Sequence, residues 1–186
     1  PAAVSVHHAY VGGLLEHSLS VARAALALVR SYAASGVPAD ADIVAAGALL
    51  HDLGKLESYR LSPTPQVTLP GNVVEHIVLG YHRFMSLAEE EGFDRERALA
   101  IGHILVSHHG SREFGSPVLP ATSEAMIVSA ADELDFKLYC WREQVAQMEA
   151  GRDVTDFVPV LQRRLWRGSA ASSASPAGPG GEEARR

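Results

Sequence analysis

Over residues 43–50 the chain reads Ile-Val-Ala-Ala-Gly-Ala-Leu-Leu, a run without one polar side chain. A run with no polar face predicts the central, fully buried helix of an all-α domain. Asp40 or Asp42 supplies its N-cap and Gly54 its stop. Upstream, Leu14, Val21, Ala25 and Leu28 recur at three- and four-residue spacings and predict a first helix over 14–34, with His17 on its buried face. Gly12 and Gly13 predict a tight turn into that helix. Ser35-Gly36-Val37-Pro38 reads as the loop after it, with Gly36 just past the helix end.

Residues 58–71 carry three prolines and no helical period. They predict a long loop of the kind that often belongs to a site, with at most a short strand over 66–69. A helix is expected over 72–91, with Val73, Ile77, Gly80 and Phe84 on the face that carries His76, His82 off that face, and Glu89-Glu90-Glu91 as a solvated end. Another is expected over 95–109. It begins charged, turns apolar through Leu99, Ile101, Ile104, Leu105 and Val106, and ends in Ser107-His108-His109-Gly110; His103 reads as packing. After a loop over 111–121, Thr122 or Ser123 caps a long helix in which Ala125, Val128, Ser129 and Phe136 share a side with Asp132. Leu134, Leu138, Trp141, Val145 and Met148 extend an apolar stripe read as core, and a last amphipathic helix is expected over 154–166.

Composition narrows the class. The 186 residues suffice for one domain with a substantial core. A net charge of −6 argues against a large basic nucleic-acid footprint, though not against a substrate held by bound cations. Cys140 is the only cysteine, which excludes an intrachain disulfide and a multi-cysteine zinc site and fits a reducing cytoplasm. No stretch is long and apolar enough to span a membrane, and no signal peptide is visible. There is no phosphate-cradling glycine loop and no GxSxG turn, so the candidate chemistry is all histidine and carboxylate.

His51 and Asp52 stand side by side at the end of the apolar run. A buried carboxylate must be paired or hold a metal. For this pair alone, a structural hydrogen bond and a metal site are equally good readings. The rest of the chain decides between them, because five predicted helices each deliver an inward histidine or aspartate: His17, then His51 and Asp52, then His76, then His108 and His109, then Asp132. So many buried imidazoles are hard to satisfy with hydrogen bonds alone. Nitrogen and carboxylate donors without sulfur suit Mn²⁺, Fe²⁺, Co²⁺, Ni²⁺ or Zn²⁺. The set exceeds what one tetrahedral zinc takes. Two cations bridged by Asp52 would use it all and would suit attack of a metal-activated hydroxide on a phosphate. Lys55 follows one turn after His51 and reads either as a surface lysine easing the helix dipole or as a phosphate contact. His7 and His8 stay open between supporting a ligand, facing substrate and being solvated.

The order His17 … His51-Asp52 … Asp132 resembles the signature of the HD-domain metal-dependent phosphohydrolase superfamily, across about residues 7–150. His76, His108 and His109 look like the additional ligands of its dinuclear members, and Lys55 matches a lysine found after the His-Asp pair in several subfamilies. A narrower likeness runs through His7-His8-Ala9-Tyr10-Val11-Gly12-Gly13-Leu14-Leu15-Glu16-His17-Ser18-Leu19, Ser107-His108-His109-Gly110, Glu113-Phe114-Gly115-Ser116-Pro117-Val118 and Asp132-Glu133-Leu134-Asp135. These strings resemble the HD domain of bacterial YhaM-type 3′→5′ exoribonucleases. Members of that subfamily usually carry an N-terminal OB-fold that grips single strands. None lies in this sequence, which leaves open a piece of a longer chain or a free-standing relative with a smaller substrate.

The resemblance implies an all-α helical bundle over 1–167 with the metal site at its centre, and composition predicts a disordered Gly/Ser/Ala/Pro tail over 168–186. It implies a pair of divalent cations, Mn²⁺ foremost, with Fe²⁺, Co²⁺, Ni²⁺, Mg²⁺ or Zn²⁺ as alternatives. His17, His51, Asp52 and Asp132 would hold the first, and Asp52 would bridge to a second held by His76, His108 and His109. Lys55 would steady a phosphate oxygen. Arg112 is either a substrate contact or a surface arginine. The expected activity is removal of nucleotides from the 3′ end of a short single-stranded oligonucleotide. A nucleotide or cyclic-nucleotide phosphohydrolase is the first alternative, and a non-catalytic HD signalling or scaffold module the second.

Overall fold

The computed structural model describes residues 12–61 and 64–168. His7 and His8 lie outside the described residues, as does the expected tail from residue 169. The chain divides after Leu138 into two compact units. The first holds helices α1 (Gly13–Ala33), α2 (Ala41–Leu50) and α3 (Lys55–Ser58), a hairpin of β1 (Tyr59–Leu61) and β2 (Pro65–Val67), then α4 (Leu69–Val73), α5 (His76–Glu90), α6 (Arg95–Ser107) and the first part of α7 (Ser123–Ala146). The all-α expectation holds, with this small hairpin as the addition. Among the described residues no helix is long and apolar enough to cross a membrane.

The core follows the apolar pattern. Val21 and Ala25 of α1, Val44 and Ala48 of α2, Ile104 and Leu105 of α6 and Ala125, Val128 and Ala131 of α7 are all fully buried. Asp40 caps α2 by accepting from the amides of Asp42 and Ile43, at 2.8 and 3.1 Å. Thr122 does the same for α7, accepting from Ala125 at 3.1 Å. The expectation that α2 is buried all round needs correction, since Leu49 is 47% exposed.

Gly54 is not a stop. The helix already ends at Leu50, and Gly54 keeps right-handed helical angles (φ −66°, ψ −16°) at the start of α3. Its role is close approach. A Cβ built there would lie 1.9 Å from the His76 carbonyl oxygen and 2.6 Å from the Gly80 amide nitrogen. Glycines on both sides of this contact let the turn after Asp52 press directly on the backbone of α5.

The helix expected over 72–91 is two helices. Glu75 stands between α4 and α5 at φ 77°, so the helical path breaks there and Val73 points to solvent, 70% exposed. The loop expected over 58–71 contains an antiparallel pair with Tyr59 opposite Val67 and Arg60 opposite Gln66. Leu134 and Leu138, read as core, are 48% and 56% exposed.

The second unit begins inside α7. The helix expected over 154–166 is instead a turn-closed hairpin, in which Val154 pairs with Trp166 and Val158 with Arg163 around a 3₁₀ turn at Pro159–Leu161. Pro159 has no amide hydrogen for a helix, and Gln162 turns the chain back at φ 53°. The buried positions Thr155, Val158, Leu161 and Leu165 fall at helical spacings all the same, which is why the period misleads.

Candidate metal centre

Helix ends, more than helix faces, deliver the candidate ligands. His51 is the C-cap of α2, with Asp52 next in the turn; His76 is the first residue of α5; His108 is the C-cap of α6, with His109 beside it. His17 and Asp132 come from inside α1 and α7. All seven predicted side chains converge. Three overlapping groups, His17–His51–Asp52, His51–His108–Asp132 and His76–His108–His109, each have ligand atoms within 4.8 Å of one another.

Asp52 sits at the middle, 2% exposed. Its Oδ2 faces His17 Nε2 at 3.6 Å and His51 Nε2 at 3.4 Å. Its Oδ1 faces His76 Nε2 at 3.4 Å and His108 Nε2 at 3.7 Å. Asp132 Oδ1 closes the first side, 3.1 Å from His17 Nε2 and 3.7 Å from His51 Nε2.

Each of the five histidines is anchored through its other nitrogen. The Nδ1–H of His51 donates to Ala48 O at 2.8 Å, that of His108 to Leu105 O at 2.9 Å, and that of His109 to Phe114 O at 2.6 Å. His17 Nδ1 meets Asp135 Oδ2 at 2.8 Å and His76 Nδ1 meets Glu75 Oε1 at 2.6 Å. Carbonyls and carboxylates accept only, so Nδ1 carries a proton in every ring, and Nε2 is the nitrogen left to face the centre and offer its lone pair to a cation. Metal-binding histidines are held in this way.

The electrostatics follow. Burial raises the Asp52 carboxyl, but Lys55 and the surrounding imidazoles outweigh it and hold the group well below the usual carboxylate range. Burial lowers His17, yet hydrogen bonds to Asp132 and Asp135 and the charge of Asp52 push it up to about 9. His108, buried and beside His51, is pulled down to about 3. Lys55 is not a surface lysine: it is buried, with Nζ 2.7 Å from Asp52 Oδ2. Arg112 lies exposed on the 3₁₀ turn that follows the histidine pair. His103 accepts from the Ala121 amide at 2.9 Å, and His82 is exposed.

Two carboxylates of this network stood out little in the sequence. Asp135, one helical turn past Asp132, has the right spacing, and Ser20 donates to its second oxygen. Glu75 directly precedes His76, but nothing in the pattern shows that the backbone reverses there.

The donor set fits divalent cations, and one observation tests the fit. Asp52 Oδ1, His76 Nε2 and His108 Nε2 are buried, face one another and take part in no hydrogen bond. Orphaned buried polar atoms are costly. A cation shared by them removes the cost.

The HD domain family matches residues 14–137. The 3′-5′ exoribonuclease YhaM of Bacillus subtilis (strain 168) is 34% identical over 164 residues, which is 88% of this chain and 51% of that protein. The proteins of the same name from Bacillus pumilus and Bacillus licheniformis are 34% and 35% identical over the same length. The chain thus spans about half the length of the curated relatives it matches. No solved structure gives a significant match.

Proposed function

Because the chain belongs to the HD domain family, we propose that it is a metal-dependent phosphohydrolase that removes nucleotides from the 3′ ends of short single-stranded RNA or DNA. The observation that carries the reading is the division of Asp52, with Oδ2 toward His17 and His51 and Oδ1 toward His76 and His108. On this reading His17, His51, Asp52 and Asp132 hold one divalent cation. Asp52, through its other oxygen, would join His76, His108 and His109 in holding a second. Such cations, Mn²⁺ first among them, supply an activated water and positive charge for the phosphate oxygens.

The chain's own residues do the rest. The Nδ1 anchors keep every Nε2 lone pair turned inward, so little reorganisation is left for the moment of reaction. Lys55 neutralises Asp52 and brings a fixed positive charge to the phosphate side of the centre. Arg112, on its exposed turn, meets the polynucleotide backbone. The name shared by the relatives supports a 3′ exonuclease. The net charge of −6 favours a smaller substrate, a nucleotide or cyclic nucleotide, as the second reading.

The test is a 5′-labelled single-stranded RNA oligomer incubated with the protein and Mn²⁺, beside an Asp52→Ala control. A ladder shortening one nucleotide at a time, absent in the control, is expected. An intact oligomer together with Asp52-dependent hydrolysis of cyclic or mononucleotides selects the second reading. No hydrolysis of either class sinks the proposal.

A further inference from the structure

Glu75 occupies φ 77°, ψ 150°, a region that glycine enters freely and that residues with a side chain almost never adopt. Its carboxylate grips the start of α5 with both oxygens. Oε1 accepts from His76 Nδ1 at 2.6 Å and Oε2 from the Ile77 amide at 3.3 Å. The His76 side chain is 6% exposed while that of Glu75 is 58% exposed, so one side chain ties the surface to a buried imidazole. Capping alone does not require this backbone. Asp40, Thr68 and Asp94 cap their helices at φ −76°, −76° and −54°. What the reversed backbone adds at Glu75 is the reach to His76.

We infer that Glu75 is a positioning residue of the metal centre, kept in a glycine-like conformation because its carboxylate fixes His76 with Nε2 turned toward Asp52 Oδ1. Its action passes through one ring to the cation that His76, His108 and His109 would share, and leaves the His17–His51–Asp132 side alone. The inference rests on reading the cluster as a two-cation centre. Glycine at this position relieves the backbone and removes the anchor, so stability and metal affinity respond in opposite senses, which a purely structural role does not produce.

The experiment is Mn²⁺ titration by calorimetry on the full chain, with thermal melting in EDTA, for wild type, Glu75→Gly, Glu75→Gln, His76→Ala and the Glu75→Gly/His76→Ala double variant. Wild type is expected to bind two Mn²⁺. Glu75→Gly is expected to melt no lower than wild type yet to bind one of its two Mn²⁺ roughly 10–100-fold less tightly. Glu75→Gln keeps an acceptor for Nδ1–H and loses less. In the His76→Ala background the glycine substitution has no further effect on Mn²⁺. Unchanged Mn²⁺ binding in Glu75→Gly overturns the inference, as does a lowered melting point with both cations retained, which would make Glu75 a cap only. Wild type that binds one Mn²⁺, or none, brings down the two-cation reading itself and this role with it.

Discussion

Asp52 Oδ1 lies 3.4 Å from His76 Nε2, and neither atom takes part in a hydrogen bond. The other oxygen of the same carboxylate faces His17 and His51. Removing Asp52 therefore disturbs both sides of the cluster, whereas removing His76 disturbs one. Asp52→Ala is expected to abolish Mn²⁺ uptake at both positions, and His76→Ala to leave one Mn²⁺ bound. Both should cost more than the roughly 10–100-fold typical of a residue that only supports a ligand. Titration calorimetry reads the stoichiometry, and equal losses in the two variants would contradict the shared-carboxylate geometry.

Lys55 is buried against Asp52 at 2.7 Å, so the pair also bears on stability. Asp52→Asn leaves a buried ammonium without its counter-charge and is expected to cost about 3–5 kcal/mol in urea unfolding with EDTA present. Adding Lys55→Met should restore most of that loss. A double variant no more stable than the single one would show that the unpaired ammonium is not the cause.

Gly54→Ala places a methyl 1.9 Å from the His76 carbonyl oxygen, a backbone atom that cannot rotate away. The turn after Asp52 and the start of α5 must separate. A loss of about 1–3 kcal/mol is expected, with weaker binding of the cation that uses His76. Gly36→Ala, at φ 78° with open space around it, is the comparison: it strains the backbone without touching the centre. Mn²⁺ affinity that falls equally in both variants would argue against the contact.

Cation binding should be linked to protons. Burial lowers His17, but Asp132, Asp135 and Asp52 together push it up to about 9. Below that pH the His17 ring holds a proton that a cation must displace, and above it that competition ends. Apparent Mn²⁺ affinity is therefore expected to rise with pH, about tenfold per unit for each proton released, and to level off past about 9. Calorimetry in two buffers of different ionisation enthalpy counts the protons. Affinity that is flat between about pH 6 and 9 would rule the linkage out.

Much of this centre was legible from spacing because apolar periodicity places inward residues well. His17 among Leu14, Val21 and Ala25, and Asp132 among Ala125 and Val128, fall on faces that the core occupies. The adjacent pairs His51-Asp52 and His108-His109 mark helix ends, where the chain leaves its face and both neighbours can turn inward. What spacing could not show was backbone that departs from the regular path. Glu75 reverses the chain inside a continuous apolar pattern, and nothing local to it forbids a helix. Gly54 looks like a terminator until the opposing backbone of α5 is in place. Leu134 and Leu138 keep the helical period while pointing to solvent, because period reports a stripe and not what covers it. The 154–166 segment fails in the opposite way, its hairpin burying residues at helical intervals.

The anchoring of His51 and His108 on carbonyls three residues back, Ala48 O and Leu105 O, has a consequence for which changes in length the chain can absorb. The last turn of each helix is the ruler that aims its imidazole. One residue inserted within α2 or α6 swings everything beyond it by about 100° around the axis. Between α1 and α2, the stretch 35–37 ahead of the Asp40 cap carries no such count and is free to grow or shrink. Among relatives of this chain, gaps should therefore gather in that connection and stay out of the two helices whose lengths aim the rings.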